Sequence, residues 1–301
     1  MPRLPLRPGV YTALVTPFTP DGSAVDWDSY AALIALQIRG GVAGVVACGT
    51  TGESPTLSTA DKRRAISEAV RLCAGSGVAV VAGTGSNDTA DSVAATAWAR
   101  DAGADAALIV NPPYNRPTQA GLLAHVRAIS AGAPGMPLLL YNIPGRTGVA
   151  MSVDTMAALA GVPGVVGVKD ATGGLDAACE LAARKLGAGF SVFSGDDGLT
   201  LAFMAVGALG VVSVVSNLWP RRCVALVDAA LRNDFAAARA AHEALWAVAK
   251  GAFVESNPVP IKAALQAAGV IASAAVRLPL VPLEQGNAEK WAAVAGALAD
   301  L

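Results

Sequence analysis

Short apolar runs recur eight times along this 301-residue chain, at residues 10–15, 44–48, 78–82, 106–110, 138–141, 165–169, 190–194 and 211–215. Between them lie longer, alanine-rich stretches with helical spacing, including 27–37, 59–73, 89–102, 118–131 and 153–160. An apolar run without alternation predicts a strand buried on both faces, and such strands pair in parallel through helical crossovers. Eight strand–helix units within residues 1–230 fit a closed (β/α)8 TIM barrel of the α/β class. A doubly wound open sheet is the alternative. Against it, residues 83–88 (GTGSND) lack the third glycine of a dinucleotide-binding turn.

Local punctuation agrees with the helices. Ser58 and Asp88 precede helical stretches, with Asp61 and Asp91 in the first turns, where a negative charge suits the helix dipole. Gly40–Gly41, Gly75, Gly77 and Gly103 fall where helices should stop. After Arg222 the strand pattern ceases, and 223–231, 235–250, 258–268 and 288–301 read as helices. The expected organisation is a catalytic barrel over 1–230 and a helical C-terminal domain over 231–301, placed to serve subunit contacts.

Residues 198–219 carry no charge and are long enough to cross a membrane. Their glycines, their polar Ser213, Ser216 and Asn217, and the β-branched run 211–215 instead predict helix, short loop and strand. No membrane span is expected. Lysine and arginine (22) balance aspartate and glutamate (23), so no basic field invites nucleic acid. The two histidines, His125 and His242, are too few for a zinc site or a Ser-His-Asp triad. Cys48, Cys73, Cys179 and Cys223 form no CxxC pair, and residues 1–9 hold no apolar signal core. A reduced, cytoplasmic protein without a metal is the expectation.

In such a barrel the site forms at the C-terminal tips of the strands. Lys169 ends the sixth run, where a buried amine is costly unless it has a task. Desolvation favours the neutral form of an amine, and a neutral amine attacks carbonyl carbon. At the second tip, Gly49–Thr50–Thr51–Gly52–Glu53 offers backbone N–H groups and hydroxyls to a small carboxylate. Tyr141 ends the fifth run, a phenol able to move protons. Arg146 follows it, able to grip a second carboxylate. Asp196 and Asp197 read as helix caps rather than metal ligands. One amine, one phenol and carboxylate binders on one rim indicate imine chemistry on an oxo-acid.

At these residues the sequence resembles the dihydrodipicolinate synthase / N-acetylneuraminate lyase family of class I aldolases. The motifs are the 49–53 turn, 141–148 (YNIPGRTG), 167–173 (GVKDATG), 194–197 (SGDD) and 253–262 (FVESNPVPIK). The resemblance implies a homotetramer built as a dimer of dimers. It implies a Schiff base between Lys169 and pyruvate, with no separate cofactor and Tyr141 as proton relay. Thr51 would link Tyr141 to Tyr114, which family members supply from the neighbouring subunit. Thr50 and Thr51 would bind the pyruvate carboxylate, and Gly195 and Val212 would offer backbone carbonyls.

Arg146 matches the synthase branch, where it would hold the carboxylate of L-aspartate 4-semialdehyde. The implied reaction gives 4-hydroxy-tetrahydrodipicolinate, the first committed step toward diaminopimelate and lysine. Two alternatives stand beside it: another pyruvate-dependent aldolase acting on a sugar-derived aldehyde, and a non-catalytic relative. Lysine-inhibited members carry a tyrosine at the place of Pro113 and histidines at those of Thr59 and Lys62. Asn87 is retained, and Asp91 stands where glutamate is usual. Lysine inhibition is therefore not expected.

Overall fold

The computed structural model describes residues 6–187 and 189–298. Its strands are β1 (Gly9–Ala13), β2 (Gly44–Ala47), β3 (Ala79–Gly83), β4 (Ala106–Val110), β5 (Leu138–Asn142), β6 (Val165–Asp170), β7 (Ser191–Ser194) and β8 (Gly210–Ser213). All pair in parallel in chain order, and β8 pairs with β1, which closes the (β/α)8 barrel. Side chains alternate between two apolar environments. Tyr11, Val46, Val81, Leu108, Leu139 and Phe193 fill the interior. Val10, Val45, Val80, Leu138, Leu140 and Val168 face the surrounding helices. With both faces covered there is no reason for polar residues to alternate, which explains the uninterrupted apolar runs. At Gly167 the neighbouring strand comes so close that a Cβ would lie 2.0 Å from the Ser191 carbonyl oxygen.

The barrel helices are α1 (Trp27–Gly40), α2 (Thr59–Cys73), α3 (Thr89–Asp101), α4 (Gln119–Gly132), the single turn α5 (Pro144–Thr147), α6 (Val153–Ala160), α7 (Asp176–Arg184), α8 (Thr200–Ala205) and α9 (Pro220–Leu231). Side chains of Asp26, Ser58, Asp88, Thr118 and Ser152 accept orphan N–H groups at five of the N-termini. The charge-free segment 198–219 resolves into α8, β8 and a turn at Val215–Asn217. Among the described residues no helix is long and apolar enough to cross a membrane.

The chain then runs through α10 (Phe235–Gly251), α11 (Val259–Ala267) and α12 (Gln285–Gly296). The helix expected over 288–301 thus starts and stops earlier, and residues 299–301 lie outside the described residues. These three helices are not a detached layer. Leu245, Ile261, Leu265 and Trp291 share one continuous core with the outward faces of the strands.

Barrel closure is thinnest between β7 and β8, which share one register pair, Ser194 with Val211. Asp197 reinforces that seam. Its carboxylate accepts from Ser213 Oγ at 2.5 Å and from the N–H groups of Val214 (2.8 Å) and Val215 (3.3 Å). Burial pushes this carboxyl above the usual range, against those hydrogen bonds. The expectation of two caps holds for Asp196, which accepts from the Gly198 N–H at 2.8 Å. It fails for Asp197, because the 3-10 turn starting there buries its side chain against the end of β8.

Candidate active site

β5 and β6 place Tyr141 directly beside Lys169 in register. Strand alternation sends Val168 outward, so Lys169 turns into the barrel mouth. Its Nζ lies 4.0 Å from the centre of the Tyr141 ring, and the residue is only 5% exposed. Among the described residues the amine has neither a carboxylate partner nor a hydrogen bond. Asp170, its neighbour in sequence, takes the opposite face of the strand. Asp170 Oδ1 accepts the Thr172 N–H at 2.9 Å, and burial raises its carboxyl above the usual range. The carboxylate nearest in sequence is thus turned away from the amine.

Tyr141 lines a cavity of about 510 Å³ at the mouth of the barrel, together with Cys48, Thr50, Ile143 and Arg146. A larger groove of about 680 Å³ beside α7 and Phe190 is mostly apolar and lacks paired polar groups. Size alone would favour the groove; chemistry favours the mouth of the barrel. Arg146 stands on α5, its Nη2 3.4 Å from the carbonyl oxygen of Asn257. Cys48 is a second potential nucleophile on the wall, but burial pushes its thiol up to about 12, which keeps it protonated and unreactive.

The turn after β2 separates its two threonines. Thr50 is on the cavity wall. Thr51 is buried, and its Oγ accepts from Asn257 Nδ2 at 2.9 Å. Among the described residues neither hydroxyl is bonded to Tyr141. Glu53 ends the turn in the left-handed region (φ 52) and is buried. Its Oε1 accepts from Lys262 Nζ at 2.6 Å, and its Oε2 accepts the Arg277 N–H at 2.9 Å. Lys262 is fully buried. It also donates to the Ala275 carbonyl oxygen at 2.7 Å and packs over the Phe18 ring at 4.1 Å. Burial pulls its amine down to about 8, against the pull of Glu53.

Local pattern assigns no role to Asn257 or Lys262, although both lie in the 253–262 motif. Lys262 carried a usable signal. It sits among Val259, Pro260, Ile261, Ala263, Ala264 and Leu265, so an amine there is as costly to bury without a task as at Lys169.

The remaining rim residues are dispersed. Gly195 follows β7 and donates its N–H to the Asp170 carbonyl oxygen at 2.6 Å. Val212 is buried in the barrel interior. Tyr114 is not part of this chain's cavity: it is 90% exposed, with φ 74. Lys62, Asn87 and Pro113 share the cavity wall with Tyr141 and Arg146.

A buried amine over a phenol, the phenol lining a cavity that also bears an arginine, lies at the C-terminal rim of a (β/α)8 barrel, the place of the active site in enzymes of that fold. The chain belongs to the dihydrodipicolinate synthetase family, whose model matches residues 7–298. Among curated relatives, a 4-hydroxy-tetrahydrodipicolinate synthase from Sorangium cellulosum is 50% identical over 293 residues, covering 97% of this chain and 96% of its own. The crystal structure of dihydrodipicolinate synthase from Aquifex aeolicus superposes with a TM-score of 0.93 at 42% identity, covering 97% of this chain and 98% of its own. A monomeric dihydrodipicolinate synthase variant superposes with a TM-score of 0.94 at 35% identity, covering 98% of each chain. The family is one of lyases, cofactor-free class I aldolases, and this chain is an enzyme of that kind.

Proposed function

We propose that this protein condenses pyruvate with L-aspartate 4-semialdehyde to 4-hydroxy-tetrahydrodipicolinate, committing carbon to diaminopimelate and lysine, through an imine on Lys169. The observation that carries the mechanism is the Lys169–Tyr141 pair, buried, in register and free of a competing carboxylate. The amine attacks the ketone carbon of pyruvate, and water leaves. The iminium withdraws electrons, a methyl proton is lost, and the enamine carbon bonds to the aldehyde carbon of the second substrate. The amine of that substrate then closes on the imine carbon and releases Lys169. Tyr141 is the group placed to carry protons to and from the imine nitrogen and the new alkoxide.

Arg146 would grip the semialdehyde carboxylate. Thr51 would donate to the pyruvate carboxylate. Thr50, which lines the same cavity as Tyr141, would bind the pyruvate carboxylate beside Thr51 and share with it the relay toward Tyr114. The exposure of Tyr114 suits a side chain offered to a second subunit, in keeping with a dimer-of-dimers tetramer. The carbonyls of Gly195 and Val212 would complete the rim. Residues 1–230 would act as the catalytic barrel and 231–301 as a helical domain bracing it, in a cytoplasmic enzyme.

The test is pyruvate consumption with aspartate semialdehyde against N-acetylmannosamine. The semialdehyde should be strongly preferred. Arg146→Ala should lose turnover with the semialdehyde while still forming the pyruvate adduct. Preference for the sugar aldehyde would overturn the assignment.

A further inference from the structure

Asn257 lies between α10 and α11, more than two hundred residues from the turn it touches. The residue is 5% exposed, and its side-chain amide donates to Thr51 Oγ. Its main-chain oxygen accepts from Arg146. Its Oδ1 is buried and has no hydrogen-bond partner. An unsatisfied buried carbonyl costs stability, so this side chain is poorly explained as a stabilising element.

The hydroxyl of Thr51 has one proton to give. Asn257 occupies its acceptor side, and among the described residues no acceptor takes that proton. The Thr51 hydroxyl therefore keeps a proton that no described residue accepts.

We infer that Asn257 is a positioning residue that fixes the polarity of Thr51, so that the Thr51 hydroxyl donates to the carboxylate of the oxo-acid substrate. The inference rests on the proposed pyruvate reaction. It adds a source of carboxylate selectivity that lies in the C-terminal segment rather than on the barrel.

Replacing the side chain leaves the carbonyl that holds Arg146, so the two substrates should separate kinetically. Asn257→Ala should raise KM for pyruvate about tenfold, the scale of one lost hydrogen bond to a charged group. Its kcat, its KM for the semialdehyde and its Tm should stay close to wild type. Asn257→Asp keeps the shape but reverses the polarity: its carboxylate accepts from Thr51 and repels the substrate anion. At neutral pH it should raise KM for pyruvate more than alanine does, with recovery as the pH falls. In a Thr51→Val background, Asn257→Ala should change KM little further, because its route is gone.

The inference is overturned if Asn257→Ala leaves KM for pyruvate unchanged, if Asn257→Asp is milder than alanine, or if the two substitutions act additively. Borohydride trapping of pyruvate on the wild-type enzyme separates this from the parent reading. Absence of an adduct on Lys169 there would sink the reaction itself.

Discussion

Replacing Lys262 with methionine removes the charge opposite Glu53 while roughly keeping the volume. The Glu53 carboxylate, 3% exposed, then keeps the Arg277 N–H but loses its 2.6 Å ammonium partner. Breaking a buried pair from one side typically costs about 3–5 kcal/mol, because the remaining charge cannot reach water. For a chain of this size that corresponds to a fall in Tm on the order of 10 °C.

The double variant Glu53→Gln with Lys262→Met has no stranded charge, and its amide oxygen can still accept from Arg277. It should recover most of the loss. The lysine also sets a pH signature. Its folded-state value of about 8 lies below the ordinary 10.5, so the folded protein binds fewer protons than the unfolded chain between those values. Lys262 therefore adds stability as pH rises from about 8 toward 10.5, and that contribution is lost as pH falls through about 8. Wild type should gain stability across that window, whereas Lys262→Met should show no such rise. Denaturant unfolding followed by circular dichroism across pH measures all three effects. A single variant as stable as wild type, or a double variant no better than the single, would refute the reasoning.

Two further outcomes follow from the same geometry. Tyr141→Phe should lower kcat by about 10²–10⁴-fold, the usual range for a lost proton-transfer group, with Tm nearly unchanged; steady-state kinetics beside thermal melts would read both. Under brief alkylation of the native protein, Cys179 should be modified and Cys48 spared, since Cys179 is exposed and the Cys48 thiol is pushed up to about 12; peptide mass mapping decides it.

Much of this architecture was legible because one physical condition, strands buried on both faces, writes itself as unbroken apolar runs. The eight strands, the helix starts at Ser58 and Asp88 and the split of 198–219 into helix and strand all follow from local pattern. α7 gave no such signal: it starts after Leu175 with no side-chain cap and follows Gly173 and Gly174. Asp197 reads as a cap because a cap and a seam hydrogen bond look alike in sequence, and only the approach of β8 distinguishes them.

For the site, Lys169, Tyr141, Thr50 and Arg146 are recognisable at strand tips because position along a barrel strand implies position on the rim. How Thr51 and Glu53 are held is not written locally; the turn is fixed from outside. That hold is non-local. Asn257 and Lys262 reach Thr51 and Glu53 across more than two hundred residues, and no periodicity carries such a pairing.

The most direct test of the central claim is covalent. The wild-type protein is incubated with pyruvate, reduced with borohydride and digested, and the modified peptide is located by mass spectrometry. The account predicts a single reduced pyruvate adduct on Lys169, absent from Lys169→Ala, with Lys262 unmodified. An adduct on another lysine, or none while the enzyme is turning over, would contradict it.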